Sequence, residues 1–198
     1  MATTANLPTQ TSTALKEWAT VLEAMGRGEQ IVLIRKGGLI EPGSGFELTA
    51  ENFVFYPTFE HQAVNYLRPQ FQRYFEDAAK RRAPEGSVRF ELAGVPAASW
   101  RSSDPGIIER LEDSHIYNGE FTTQRLKWQP DMPLLIAAVR VWRLPQAQTV
   151  ATTPQYAGCK SWVQLDQPVP LAAAAPVLDD ITFGQRLHDL AGRITPLL

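Results

Sequence analysis

The sequence predicts an α+β fold: a mixed sheet, or a small β-barrel, with flanking helices. Short runs rich in branched and aromatic residues, at 31–34, 53–56, 88–92, 134–144 and 161–165, read as strands. Between and around them lie segments whose apolar residues recur every three or four positions, as on one helix face. The strands are unevenly spaced, with helices inserted, and lack the regular strand–helix–strand alternation of a doubly wound sheet.

The elements follow in order. Residues 1–12 are polar and read as a disordered tail. Leu15, Trp18, Ala19, Leu22 and Met25 share one helical face, predicting a helix over 13–26 with Thr13 as cap and Gly26 and Gly28 as its end. The buried strand 31–34 stops at Arg35-Lys36-Gly37-Gly38. Phe46-Glu47-Leu48 predicts a short strand, and 53–56 a better one ending at Pro57. A second helix is predicted over 63–82, with Phe71, Tyr74, Phe75 and Ala78 on its apolar face and Lys80, Arg81 and Arg82 suiting its C-terminal dipole.

Residues 88–92 alternate, as a half-buried strand does, and can continue to Trp100. Asp104-Pro105 predicts a helix start. Asn118 predicts the cap of a helix over 119–127. Residues 134–144 form the strongest strand signal, followed after Pro145 by a predicted loop. A last strand is expected at 161–165. Residues 167–176 read as a linker, and 178–194 as a C-terminal helix presenting Ile181, Leu187, Leu190 and Ile194. The expected organisation is therefore one domain over 13–166, with the linker and C-terminal helix of 167–198 packed on it.

Composition narrows the function. The 198 residues are 44% hydrophobic and 20% charged, which excludes a disordered polyelectrolyte. One cysteine, Cys159, excludes a disulfide-stapled miniprotein. No apolar run approaches the roughly 20 residues that span a bilayer. The first 13 residues lack the pattern of a signal peptide, so a reducing cytoplasm is expected. With 19 Lys+Arg against 21 Asp+Glu the formal charge is −2, unlike a DNA-coating domain, yet a local basic patch is compatible with it.

The motifs of nucleotide-binding loops, zinc proteases, serine hydrolases and redox dithiols are absent. Among His61, His115 and His188, Glu60-His61 places two metal donors side by side, too few for a metal site. Cys159 reads as a small buried thiol rather than a nucleophile. No catalytic set and no cofactor are expected. The residues that point to binding lie in three places. Arg35 and Lys36, beside glycines, suit a phosphate. Tyr56, Glu60, His61 and Gln62 follow a strand end, where sites are commonly built. Arg125, Lys127 and Trp128, and separately Lys160 and Trp162, pair cations with tryptophan as a base-stacking platform does.

The segments Ala14-Leu15-Lys16-Glu17-Trp18, Ile34-Arg35-Lys36-Gly37-Gly38, Phe55-Tyr56-Pro57-Thr58-Phe59-Glu60-His61-Gln62, Val141-Trp142-Arg143-Leu144-Pro145 and Tyr156-Ala157-Gly158-Cys159-Lys160-Ser161-Trp162 resemble an uncharacterised bacterial family, a domain of unknown function. More distantly, the opening helix and the stretch Gly28 to Arg35 resemble ASCH domains of the PUA-like superfamily, in which a Gly-x-Lys-x-x-Glu-x-Arg strand follows a helix. That resemblance implies a PUA-like barrel and binding of RNA or modified nucleotides. Some ASCH members hydrolyse amides with the Lys and Glu of the motif. Gln30 and Leu33 stand there, and neither does the acid–base work of the residue it replaces. The expected function is thus a non-catalytic module binding single-stranded or modified RNA, DNA or a nucleotide, with no membrane partner. The alternatives are a metal-dependent phosphodiesterase or other hydrolase of restriction-endonuclease-like type, using Glu60, His61 and another carboxylate, and a protein-interaction domain.

Overall fold

Residues 7–36 and 47–195 are described by a computed structural model. The strands are β1 (Gln10–Trp18), β2 (Val32–Arg35), β3 (Phe53–Thr58), β4 (Ser87–Ser102), β5 (Leu134–Ala151), β6 (Trp162–Pro170) and β7 (Ala175–Pro176). The helices are α1 (Ala19–Gly26), α2 (Arg73–Lys80), α3 (Ile107–Arg110), α4 (Gly119–Lys127) and α5 (Asp180–Ile194). The fold is α+β, with one mixed sheet in the order β2-β5-β4-β3-β1-β6 and β7 beside β5. The β1–β3 pair is parallel, and the other ladders are antiparallel.

The sheet is open, which corrects the barrel alternative: among the described residues no ladder joins β2 to β6. It is nevertheless curled. Arg35, at the end of β2, reaches Glu17 on β1 and Ser161 just before β6. The ends of the sheet approach one another and are bridged by side chains instead of backbone bonds. Curling is helped by irregularities in the long β4–β5 pair, whose register shifts between Phe90 and Leu92 and between Pro96 and Ala98. Gly94 permits a close approach, since a Cβ there would meet Phe53 at 2.7 Å and Val139 at 2.8 Å.

Two apolar layers cover the sheet. The larger holds Leu15, Met25, Phe53, Phe55, Ile107 and Ile136 and takes in Phe121 of α4 and Leu190 and Ile194 of α5. The smaller, on the opposite side, gathers Ala14, Val54, Phe90, Trp142, Tyr156 and Val163. Alternate residues of β1 and β3 thus feed different layers, as the two-residue period of a strand requires.

Several expectations change. Residues 10–18 are a strand, so the expected helix begins only at Ala19, and 10–12 are not a tail. β1 feeds both apolar layers, Leu15 the larger and Ala14 the smaller, so it is covered on both faces and shows no simple alternation. The apolar spacing that looked helical crosses the strand–helix junction at Trp18. The second helix is short: 3-10 turns at Val64–Tyr66 and Pro69–Phe71 precede α2, because Pro69 holds Arg68 extended. Residues 146–151 continue β5, with Pro145 in the bulge between the Arg143 and Gln148 pairings, where no ladder N–H is needed. The supposed linker contains the end of β6 and all of β7. Glu47 and Leu48 are not in a strand, while Gly37, Gly38 and Phe46 lie outside the described residues. The cap at Asn118 is as expected: its Oδ1 accepts the N–H groups of Glu120 (3.0 Å) and Phe121 (3.2 Å). In α5, Leu190 and Ile194 are buried but Ile181 is exposed.

Candidate functional site

The parallel strands β1 and β3 end together, Lys16 beside Tyr56 and Glu17 beside Pro57. Successive side chains point to opposite faces, so this strand end makes two different environments.

On the helix-covered face, Glu17 is a junction. Its Oε2 takes the Arg35 guanidinium at 2.8 Å and its Oε1 the Trp18 N–H at 2.8 Å. Arg35 also donates to Ser161 Oγ at 3.2 Å and to the Lys16 carbonyl. Thr58 Oγ1 donates to the Glu17 carbonyl at 3.1 Å. Lys36 is only 3% exposed. Its ammonium donates to the carbonyls of Leu126 (3.1 Å), Trp128 (2.9 Å) and Gln129 (3.1 Å), which uses all three of its N–H donors. The pair expected to hold a phosphate is therefore engaged internally: Arg35 bridges the sheet ends and Lys36 caps the C-terminus of α4.

Residues 125–128 lie beside Lys36, so two of the expected stretches do meet. Arg125 lies 5.0 Å over the Phe121 ring, and burial holds its pKa below the usual arginine range. Lys127 is exposed on the last turn of α4, and Trp128 is 40% exposed. Trp162 is anchored: its Nε1 donates to the Glu47 carbonyl at 3.0 Å and its ring meets Phe53 edge-on at 5.3 Å. Gln30, at the lysine position of the ASCH motif, is buried with both amide ends satisfied, by Val32 O (2.7 Å) and Ile116 N–H (3.0 Å). Leu33 is also in the core.

The other face opens into a groove of about 700 Å³. Lys16, Tyr56, Glu60, Arg82, Tyr156 and Gly158 line it, which leaves the third expected stretch apart from the first two. Lys16 Nζ lies 5.4 Å from the Tyr56 ring centre and donates to the Gly158 carbonyl at 2.9 Å. Lys160 donates to the Gln155 carbonyl. Burial first, then the Lys160 ammonium, hold the Lys16 amine below the usual lysine range, against the opposing pull of Glu60. Burial pushes the Tyr56 phenol up. Arg82 rests 4.8 Å over the Phe59 ring. Among the described residues, Lys16, Lys160 and Arg82 form no salt bridge.

His61 is exposed at the turn beyond β3, with φ of 62°, and Gln62 Oε1 accepts the Thr20 N–H of α1 at 3.3 Å. Cys159 is exposed, not buried, because Gly158, at φ of 87°, turns the chain outward before β6. The groove cations Lys16 and Arg82 were not among the expected binding residues, while Lys160, expected as the cation beside Trp162, lies near enough to Lys16 to lower its pKa. A lysine on a strand otherwise rich in Thr, Leu and Trp was the available signal for Lys16. Among the described residues, no group of three or more His, Cys, Asp or Glu is placed to hold a metal, and no helix is long and apolar enough to cross a membrane.

No curated protein matches the chain. It is similar to crystal structures of ASCH from Zymomonas mobilis, the domain type that the Gly28–Arg35 stretch resembles. One shares 11% identity at a TM-score of 0.41, over 90% of this chain and 94% of that one. A tyrosine-to-phenylalanine mutant shares 9% at 0.44, over 90% and 96%. A serine-to-alanine mutant shares 12% at 0.42, over 93% and 99%. Residues 14–189 match a family described as a domain of unknown function, DUF1802, and the chain belongs to that family.

Proposed function

We propose that the chain is a non-catalytic binding module for a nucleic acid or a nucleotide, and that the groove beside β1 and β3 holds the ligand. The observation that carries this reading is the Lys16 ammonium on the groove wall, held by the Gly158 carbonyl beside the Tyr56 ring, with the Lys160 ammonium near it and, among the described residues, no salt bridge to either. Burial and the neighbouring Lys160 ammonium hold the Lys16 amine below its usual range, and an arriving phosphate offsets both by favouring the charged form. Tyr56 presents a ring beside Lys16, and Arg82 backed by Phe59 adds a cation to the wall. A ring with flanking cations is the chemistry that takes an unstacked base and its backbone. Glu60 and Glu85 also line the groove and disfavour a densely charged polyanion, which favours a short single-stranded segment or a nucleotide over a duplex.

The test is fluorescence polarisation with labelled single-stranded RNA and DNA oligomers, and competition by mononucleotides, at several salt concentrations. The parent is expected to bind with a falling affinity as salt rises. Lys16→Ala with Lys160→Ala is expected to weaken binding about tenfold or more and to reduce the salt slope by about 2. Lys127→Ala, outside the groove, is expected to leave both unchanged. Parent protein that binds none of these ligands, or binds them independently of salt, overturns the reading.

A further inference from the structure

A second hollow lies between α1, α2 and the sheet, on the helix-covered side of the β3 end. It measures about 60 Å³, several times the roughly 10–15 Å³ that one water needs. Its floor is apolar, made by Leu22, Phe55 and Leu92 with Pro57. Its rim is ionic and unbalanced. Arg27 binds Glu23 (3.3 Å) and Asp77 (2.9 Å). Arg81 binds Glu23 (3.1 Å) and Glu91 (3.2 Å), and Arg89 binds Glu91 (2.7 Å). The fourth guanidinium, Arg143, donates to the Gly26 carbonyl at the end of α1 and has no carboxylate partner among the described residues. Three guanidinium groups thus share three carboxylates and the fourth has none, while Lys80 also approaches Asp77, at 3.6 Å.

We infer that this hollow binds a short aliphatic monocarboxylate, its carboxylate on Arg143 and its chain on the apolar floor. A guanidinium without an ionic partner matches a carboxylate in charge and in planar fork geometry. A net excess of positive charge above an apolar floor excludes a neutral polar ligand from any advantage. The small volume admits a chain of roughly four to six carbons and not a nucleobase. The hollow shares Pro57, Phe59 and Arg89 with the groove wall but opens on the other side of the strand end, so this inference stands apart from the nucleotide reading.

The experiment is calorimetric titration of the full chain with isovalerate, with isoamyl alcohol as the uncharged isostere and inorganic phosphate as a second control. Saturable isovalerate binding is expected, with the alcohol and phosphate at least about tenfold weaker. Arg143→Gln is expected to weaken isovalerate at least about tenfold, Leu22→Trp to abolish it by filling the floor, and Lys16→Ala to leave it unchanged. Circular dichroism melts establish that each variant is folded. Absent binding by the folded parent, equal binding of the alcohol, or binding indifferent to both Arg143→Gln and Leu22→Trp overturns the inference.

Discussion

His115 shows how a titratable side chain becomes structural. It is 3% exposed, its Nε2 lies 2.9 Å from the Ile108 carbonyl, and its Nδ1 accepts the Tyr117 N–H at 3.2 Å. That pattern requires the neutral ring with its proton on Nε2, because Nδ1 must keep a lone pair for Tyr117. Burial accordingly pushes its pKa down to about 4. The unfolded chain, with a histidine near 6.5, binds the proton first, so the contribution is complete above pH 6.5 and fades as pH falls toward 4. Urea unfolding at pH 7.5 and 5.0 is expected to show a loss of about 2 kcal/mol from this group. His115→Gln is expected to be less stable at pH 7.5 but to lack that share of the pH slope, and an unchanged slope would refute the assignment. The sequence singled out His115 only as one of three histidines. Its partners are near in sequence, Tyr117 and Ile108, but its role depends on the core that buries the ring, which the pattern around it does not show. Cys159 is the converse: composition favours burial for a lone thiol, and one left-handed glycine beside it turns it out.

Helix α4 carries both kinds of end signal. Its start was legible because an Asn cap is local, three residues from the N–H it satisfies. Its end was not, because the group that satisfies its last carbonyls comes from Lys36, about 90 positions away. A strand-terminal lysine beside glycines looks the same in sequence whether it meets a phosphate or a helix terminus. Lys36→Met keeps the stem and removes the three charge-assisted bonds, leaving buried carbonyls unsatisfied. The expected cost is about 2–3 kcal/mol in urea unfolding, with the earliest loss of amide protection in 119–127. A variant as stable as the parent would show that the carbonyls find other partners. The same separation of local and distant explains β1: the helix face read over 13–26 was half right, since α1 is local, while β1 owes its state to β3 and β6.

The curled sheet raises the question of what keeps its ends together, and the geometry answers with the Glu17–Arg35 pair. Both side chains are largely buried, 10% and 15% exposed. Arg35 ties three strand regions, since it also donates to Ser161 and to the Lys16 carbonyl. A buried pair of this kind contributes less as a pair than its loss costs, because removal of one partner strands the other charge away from water. Arg35→Met is therefore expected to destabilise by about 3 kcal/mol, and Glu17→Gln with Arg35→Met by less than the sum of the singles. If the pair holds the sheet ends together, hydrogen exchange in Arg35→Met rises most in 32–35 and 162–165, with the β4–β5 ladder still protected. That ladder contains the longest register in the molecule and does not pass through the bridge. Uniform loss of protection would instead make Arg35 an ordinary core contact. The groove connects to the same outcome: Lys16 lends its carbonyl to Arg35 and its ammonium to the groove. Loosening the bridge is thus expected to weaken oligonucleotide binding even though Arg35 lies on the opposite face.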